Sequence, residues 1–480
     1  MLFGYLGNLV IMPLLGSLII GFLPRYKETL VKQVGLITSL ITLVYSLQLW
    51  IYFDKTTPHF QMVENLGWFP LGIDGISVFF IILTTFLTPF CLLIGWNAIQ
   101  KLVKEYVIAF LVLESMLIIV FSVLDLLYFY VFFESVLIPM FLVIGVWGSR
   151  ERKIHAAYQF FLYTLIGSVV MLLAILFIYS ETGTTDIQVL METTFSERRQ
   201  YLLWLAFFAS FAVKVPMIPV HIWLPEAHVE APTAGSVILA GMLLKLGTYG
   251  LIRFSLPMFP EASVYFSPLV YVMSVIGIIY ASLTTIRQVD LKKIIAYSSV
   301  AHMAYVTLGL FSFNLQGMEG AVLLMLSHGI VSSALFLCVG MLYDRHGTRL
   351  LNYYGGIAQY MPIFSLFFLF FILANMSVPG TSSFVGELLV LVGIFRQNIV
   401  VAFLASTGII LGAIYSIWLY NRVVFGIIRT EYFEHFYDLD KRECVILLPF
   451  VIASLWMGIY PEVFLSVMHT SCSYVLQVFA

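Results

Sequence analysis

Charge is what this sequence has least of. Only 10% of its 480 residues are Asp, Glu, Lys or Arg, against 61% hydrophobic, and the mean hydropathy is +1.00. A water-soluble domain of this length is excluded, since charged residues ordinarily make up about a quarter of one. Cysteine is scarce too: Cys91, Cys338, Cys444 and Cys472 stand far apart. They show no C-x-x-C and no cluster-ligand spacing, so neither a disulfide framework nor an iron–sulfur site is signalled, and they read as small packing residues. The chain lacks a glycine-rich phosphate loop, a Walker loop, a nucleophile elbow and a pair of helix-facing histidines at haem spacing, so no cofactor is expected in it. The net charge of −2 argues against nucleic acid as a partner. The period-two alternation of a membrane barrel is also missing. What remains is apolar runs, each long enough to cross a bilayer at about 20 residues per helix. Only a helix or a closed barrel satisfies its own backbone in lipid, so the fold class is an all-α polytopic membrane protein.

Fourteen apolar segments bounded by charges or turn residues begin near residues 5, 33, 75, 104, 126, 154, 201, 233, 266, 293, 319, 362, 399 and 444. The basic residues test that division, because loops on the inner side of a coupling membrane are richer in Lys and Arg. Odd-numbered connections carry seventeen: Arg25, Lys27, Lys32, Lys101, Lys104, Arg150, Arg152, Lys153, Arg287, Lys292, Lys293, Arg345, Arg349, Arg422, Arg429, Lys441 and Arg442. Even-numbered ones carry five: Lys55, Arg198, Arg199, Arg253 and Arg396. The asymmetry places both termini outside; in a mitochondrion the inside is the matrix. The N-terminal stretch reads as the first membrane helix. It has neither a signal peptide's basic region and cleavage site nor the Arg- and Ser-rich make-up of a transit peptide. A protein of an organelle with such a start is expected to be made there.

Two segments are interrupted, one at Pro216 and Pro219 and the other at the pair Pro379 and Gly380. Proline removes a backbone donor and crowds the preceding turn, so freed carbonyls there must meet protein or water. The breaks fall in the seventh and twelfth segments, five apart. Broken helices at matching places point to an internal repeat with a polar pathway near the midplane. The expected division is residues 1–103 as three leading helices, 104–255 and 266–420 as two five-helix units, and 421–480 as a C-terminal loop and last helix.

An ionisable side chain near the bilayer centre costs roughly 2.5–3.5 kcal/mol on insertion scales, so each one needs a reason. Glu114, Glu134, Lys214, Lys245 and Glu387 lie inside apolar runs, as do His302 and His328. Burial penalises a lysine's charged form and a neighbouring carboxylate restores it. Lys214 and Lys245, set between those influences, are candidates to release a proton when an acid partner moves. Glu134 is the candidate partner; the alternative is a static ion pair that fixes helix packing. Glu387, eight residues past Pro379, reads as a relay or exit carboxylate. His302 and His328 read as relay members or as imidazoles satisfied by backbone. Glu114 lies nearer a segment end and reads equally as a packing anchor. His221, Glu226, His228 and Glu230 look like a polar funnel at the inner end of the first break. The seven-residue histidine spacing spans prolines and is a poor zinc template, so no metal is expected. A file of buried acids, lysines and histidines in an apolar chain reads as a proton or cation path.

The run FASFAVKVPMIPVHIWLPEAHVEAPTAGSVILAGMLLKLGTYGLIRF, residues 208–254, resembles the signature of the antiporter-like membrane subunits of respiratory complex I. So do residues 125–140, 288–303, 323–350 and 373–393. The resemblance covers nearly the whole chain, most weakly residues 1–70 and 425–480, where TEYFEHFYDLDKRE is too generic to carry a role. It implies fourteen helices, two inverted five-helix repeats, discontinuous seventh and twelfth helices, and one proton channel. It also implies Glu134 and Lys214 as a pair, Lys245 as the central lysine, Glu387 as the terminal carboxylate, and His302 and His328 along the axis between them. NADH, FMN, iron–sulfur clusters and ubiquinone would all be used by other subunits. The implied partners are membrane lipids and other membrane-arm subunits, especially the neighbouring antiporter-like chains 2 and 5, and the implied place is the mitochondrial inner membrane. The alternative is a sodium/proton antiporter subunit of the same fold.

Overall fold

The computed structural model describes residues 4–67, 69–427 and 437–479. Arg429 and part of the run TEYFEHFYDLDKRE lie outside the described residues. The helices that matter are α1 Tyr5–Phe22, α2 Glu28–Tyr52, α3 Ser77–Ala98, α4 Val103–Ser122, α5 Leu126–Trp147, α6 Lys153–Thr182, α7 Glu197–Lys214, α8 Trp223–Glu230 and α9 Thr233–Met258. They continue as α10 Ser267–Arg287, α11 Leu291–Leu310, α12 Leu315–His346, α13 Pro362–Asn375, α14 Ser382–Gln397, α15 Ile399–Val424, α16 Lys441–Ile459 and α17 Glu462–Leu476. Each apolar segment read from the sequence has a helix starting within about a turn and a half of the expected place.

Eleven helices among the described residues are long and apolar enough to cross a membrane: α1–α6, α9, α10, α12, α15 and α16. α7, α11 and the α13–α14 pair do not meet that measure. They are the segments that carry Lys214, His302 and Glu387, whereas Glu134, Lys245 and His328 lie on helices that do meet it.

Both interruptions are present. α7 ends at Lys214, the chain turns through Pro216 and Pro219, and α8 resumes at Trp223. Trp223 Nε1 donates to the Val213 carbonyl at 2.9 Å, so the second half caps a carbonyl that the break has freed. α13 ends at Asn375 and α14 starts at Ser382, with Ser377 at φ 59° and Gly380 at φ 95° in the crossing. Glycine takes that φ at no steric cost, and Ser377 holds it as an exception.

Three features differ from the sequence reading. Residues Gln61–Leu66 (β1) and Phe69–Ile73 (β2) form an antiparallel hairpin after α2. Its Glu64 carboxylate accepts the Leu6 and Gly7 amides at 3.0 and 3.2 Å and that of Tyr5 as well, capping the first turn of α1. The last apolar stretch is two helices, α16 and α17, separated at Tyr460 and Pro461. Several basic residues counted as loop charges are buried: Arg349, Lys292 and Arg253 are 1%, 3% and 6% exposed. The two arginines are ion-paired inside the protein and Lys292 donates to the Ala231 carbonyl, so all three are weaker witnesses to orientation than truly solvated ones.

The most apolar windows of α9 and α12 are wholly buried, whereas those of α2 and α15 are about one-third buried or less. A helix buried on every side belongs at the centre of a bundle. α12 packs along α14 and α11 and against α9, and α9 in turn lies on α7. Lys245 of α9 and His328 of α12 are thus on the central axis.

Candidate functional site

The site begins at α5. Pro139 cannot donate to the Ser135 carbonyl and crowds the turn before it. The helix is interrupted at Val136, one turn earlier, and the Phe133 carbonyl accepts Lys214 Nζ at 2.7 Å. Lys214 closes α7, where unpaired carbonyls favour a cation. Its Nζ also lies 3.3 Å from the Phe133 ring centroid. Glu134 Oε1 is 3.5 Å from the same Nζ, an ion-pair distance, yet neither carboxylate oxygen makes a hydrogen bond among the described residues. The lysine is held by three contacts and the glutamate by one loose one.

Lys245 lies in an irregular part of α9. Leu239–Leu243 and Leu251–Ser255 are π-helical, and such turns disturb the regular pairing of carbonyls with amides. Lys245 Nζ donates to the Ala240 carbonyl at 2.5 Å and meets His328 Nδ1 at 2.8 Å. Its residue is fully buried, without a carboxylate partner in any ion pair among the described residues. α9 approaches the end of α7 closely at Gly247. A β-carbon there would lie 2.9 Å from the Phe211 oxygen and 3.0 Å from the Val215 nitrogen, so the stretch beside Lys214 and the helix of Lys245 touch backbone to backbone.

From Lys245 the groups continue through His328 and His302 to Glu387. The rings of His328 and His302 are 5.9 Å apart, and each leaves Nε2 without a partner in the protein. His302 Nδ1 meets Glu387 Oε1 at 2.9 Å, with both side chains almost entirely buried. Beyond the pair lies a small cavity lined by Ser282, Tyr305, Asn375, Ser377 and Tyr415, so the second helix break borders the terminal carboxylate. The six expected site residues therefore form two groups, Glu134 with Lys214, and Lys245 with His328, His302 and Glu387.

The expected polar funnel divides into separate environments. Glu226 pairs with Lys293 at 2.9 Å, and Glu230 with Arg349 at 3.1 Å. His228 is fully buried, stacked on Phe336 at 4.5 Å with both ring nitrogens unpartnered, while His221 lies edge-on to Tyr280 and Tyr297. Glu114 accepts from Thr42 Oγ1 at 2.9 Å, on the far side of the bundle between α4 and α2. No group of His, Cys, Asp and Glu among the described residues is arranged to hold a metal ion.

Two buried ion-pair clusters escaped the sequence reading. Arg349 donates through Nε to Asp290 at 2.7 Å, through Nη2 to Glu230, and through Nη1 to Ser149 Oγ and the Val229 carbonyl. Arg253 pairs with Asp74 at 2.7 Å and lies over Phe60 and Tyr249. Both arginines lie close to helix ends and read as loop charges. Their acid partners are distant in sequence, Asp290 and Glu230 for Arg349 and Asp74 for Arg253, so no local pattern announces them.

This geometry defines a class: a polytopic helical membrane protein with two broken helices, and buried acid, lysine and histidine side chains in file between them. The profile of a family described as NADH:quinone oxidoreductase/Mrp antiporter, TM matches residues 123–412. The chain is 66% identical to NADH-ubiquinone oxidoreductase chain 4 of Marchantia polymorpha, over 98% of this chain and 97% of that one. It is 64% identical to the chain 4 of Arabidopsis thaliana, over 98% and 97%. Among solved structures it resembles a chain of respiratory complex I from Thermus thermophilus with bound NADH, with a TM-score of 0.90, 27% identity and coverage of 99% and 100%. A chain of the Mrp complex from Dietzia sp. shares the fold at TM-score 0.87 and 19% identity, over 99% of each chain. The chain belongs to the NADH-ubiquinone oxidoreductase chain 4 family.

Proposed function

We propose that this chain is a proton-translocating membrane subunit of a respiratory NADH:ubiquinone reductase. It would sit in the mitochondrial inner membrane, with both termini on the intermembrane-space side and the antiporter-like chains 2 and 5 as neighbours. Redox chemistry belongs to other subunits, where NADH, FMN, iron–sulfur clusters and ubiquinone serve. In this reading there are fourteen crossings, and residues 104–255 and 266–420 are two inverted five-helix units, each with a broken helix.

The single observation that carries the proposal is the run Lys245, His328, His302, Glu387, in which groups that exchange protons stand at 2.8 and 2.9 Å with one gap between the imidazoles. A charged Lys245 donates to His328 Nδ1, which puts the imidazole's own proton on Nε2. Transfer onto Nδ1 releases the Nε2 proton, a bridging water carries it to His302 Nε2, and His302 gives up its Nδ1 proton to Glu387. Each ring swaps tautomer and resets by rotation. The trigger is the loose pair: withdrawing Glu134 from Lys214 removes the carboxylate that favours the ammonium, and Lys214 passes its proton by water toward Lys245. Moving one charge against the membrane potential costs about 2.3 kcal/mol per 100 mV, so the redox step elsewhere must drive it.

The test is Lys245→Met in the intact complex reconstituted in vesicles. Quinone reduction with a reduced proton yield per NADH supports the proposal; a normal yield ends it. The shared fold with the Mrp chain supports a second reading, a sodium/proton antiporter subunit. A chain that purifies without flavin and iron–sulfur partners and exchanges sodium for protons would favour it.

A further inference from the structure

Where α10 and α15 end, a cavity of about 910 Å³ opens between them and the 351–355 loop. Arg287 and Arg422, the basic residues in the last turns of those helices, both line it, with Trp418, Asn421, Asn352 and Gln288. Among the described residues that line it there is no aspartate or glutamate. Neither arginine is in an ion pair among the described residues. The acids that line a neighbouring cavity together with Arg287 are already taken. Glu226 is held by Lys293, and Glu230 and Asp290 by Arg349, so Arg287 beside them is surplus positive charge.

The surface leading to the cavity is graded along both helices. On α10, Ile276, Tyr280, Leu283 and Arg287 follow one another at steps of three or four residues, with the first three side chains exposed. On α15, Ile410, Ile414, Trp418 and Arg422 follow at steps of four, with the two isoleucines exposed. Such spacing puts each set on one helix face. Both stripes run apolar, then aromatic or aliphatic, then cationic. A helix C-terminus alone accounts for one arginine in a last turn. It does not account for two arginines outside any ion pair among the described residues, converging with an indole from two apolar stripes on one cavity whose described lining holds no carboxylate.

We propose that this cavity binds an anionic glycerophospholipid. Its phosphodiester sits between the guanidinium groups of Arg287 and Arg422, Trp418 lies at the glycerol level, and the acyl chains follow the exposed stripes of α10 and α15. Guanidinium groups suit phosphate because their planar donors match its oxygens, and basic pockets between helices on the inner face are where anionic headgroups settle.

The test uses the intact membrane complex in nanodiscs with a photoactivatable phosphatidylglycerol, a phosphatidylcholine analogue and inorganic phosphate as competitor. The expected result is phosphatidylglycerol crosslinking to α15 or the 351–355 loop, weakened about fivefold for each of Arg287→Gln and Arg422→Gln. Equal labelling by phosphatidylcholine would overturn the proposal. So would displacement by millimolar phosphate, which would mark a soluble-anion site, or unchanged labelling of the double variant. Trp418→Phe should keep the anionic preference, which separates the site from general damage to α15.

Discussion

Two buried acid–base groups in this protein use the same kinds of residue in opposite ways. Around Arg349 the guanidinium reaches two carboxylates, a hydroxyl and a carbonyl. Around Lys214 the ammonium touches a carbonyl and a ring, and its carboxylate stands 3.5 Å off with no hydrogen bond among the described residues. Fixed donors on a planar fork lock an ion pair; a compact ammonium on a flexible stem leaves it free to open. Burial alone therefore does not set the two groups apart; the tightness of the pairing does.

The sharpest way to break the comparison is at the locked cluster. Arg349→Met would strand Asp290 and Glu230 without their cation, and removing one partner of a buried pair costs about 3–5 kcal/mol. The expected outcome is lost assembly or a sharply lower melting temperature in the membrane complex. If Arg349→Met assembles normally, the cluster is not structural. Glu134→Gln should do the reverse. Lys214 keeps the Phe133 carbonyl and ring, so the complex should assemble, while proton transfer through this chain falls by about a hundredfold. Proton yield per NADH in sealed vesicles reads this, and an unchanged yield would place the trigger elsewhere.

What the sequence disclosed follows the same division. Lys214, Lys245 and Glu387 were legible because a charge within an apolar run is costly enough to need a reason. The breaks were legible because Pro216, Pro219, Pro379 and Gly380 leave few alternatives to an interrupted helix. Which side chain meets which was not: the contact of Lys245 with His328 joins α9 to α12, and no local pattern encodes a register between helices. Nor do residue types announce the π-helical turns of α9. Arg349 was read as a loop charge because it follows the end of α12, although the fold buries it. The Glu64 hairpin went unseen because a short polar strand after a long helix looks like any connection.

The contact between the two groups can be tested at Gly247. A valine there would press on the Phe211 carbonyl and the Val215 amide, backbone atoms that cannot rotate away. Overpacking of this kind costs about 1–3 kcal/mol. The melting temperature should drop modestly. Proton yield should fall more steeply than it does for a variant equally destabilised at the α1–α4 contact, because the two lysines are pushed apart. Equal falls would mean that the α7–α9 approach serves packing alone.

The smallest effect is expected at Glu114, and it decides whether burial without a chain of neighbours matters. Glu114 is as buried as Lys245, but among the described residues its one hydrogen-bond partner is Thr42, and Oε2 has none. No histidine or lysine among the described residues is hydrogen-bonded or ion-paired with it, so a proton arriving there has no imidazole or amine to pass to. Glu114→Gln keeps the shape and an acceptor oxygen for Thr42, so stability should change by no more than about 1 kcal/mol. The proton yield should stay at the level of the unaltered chain. A yield that fell as far as in Glu134→Gln would extend the path into the α2–α4 contact and sink the distinction between loosely paired and merely buried carboxylates.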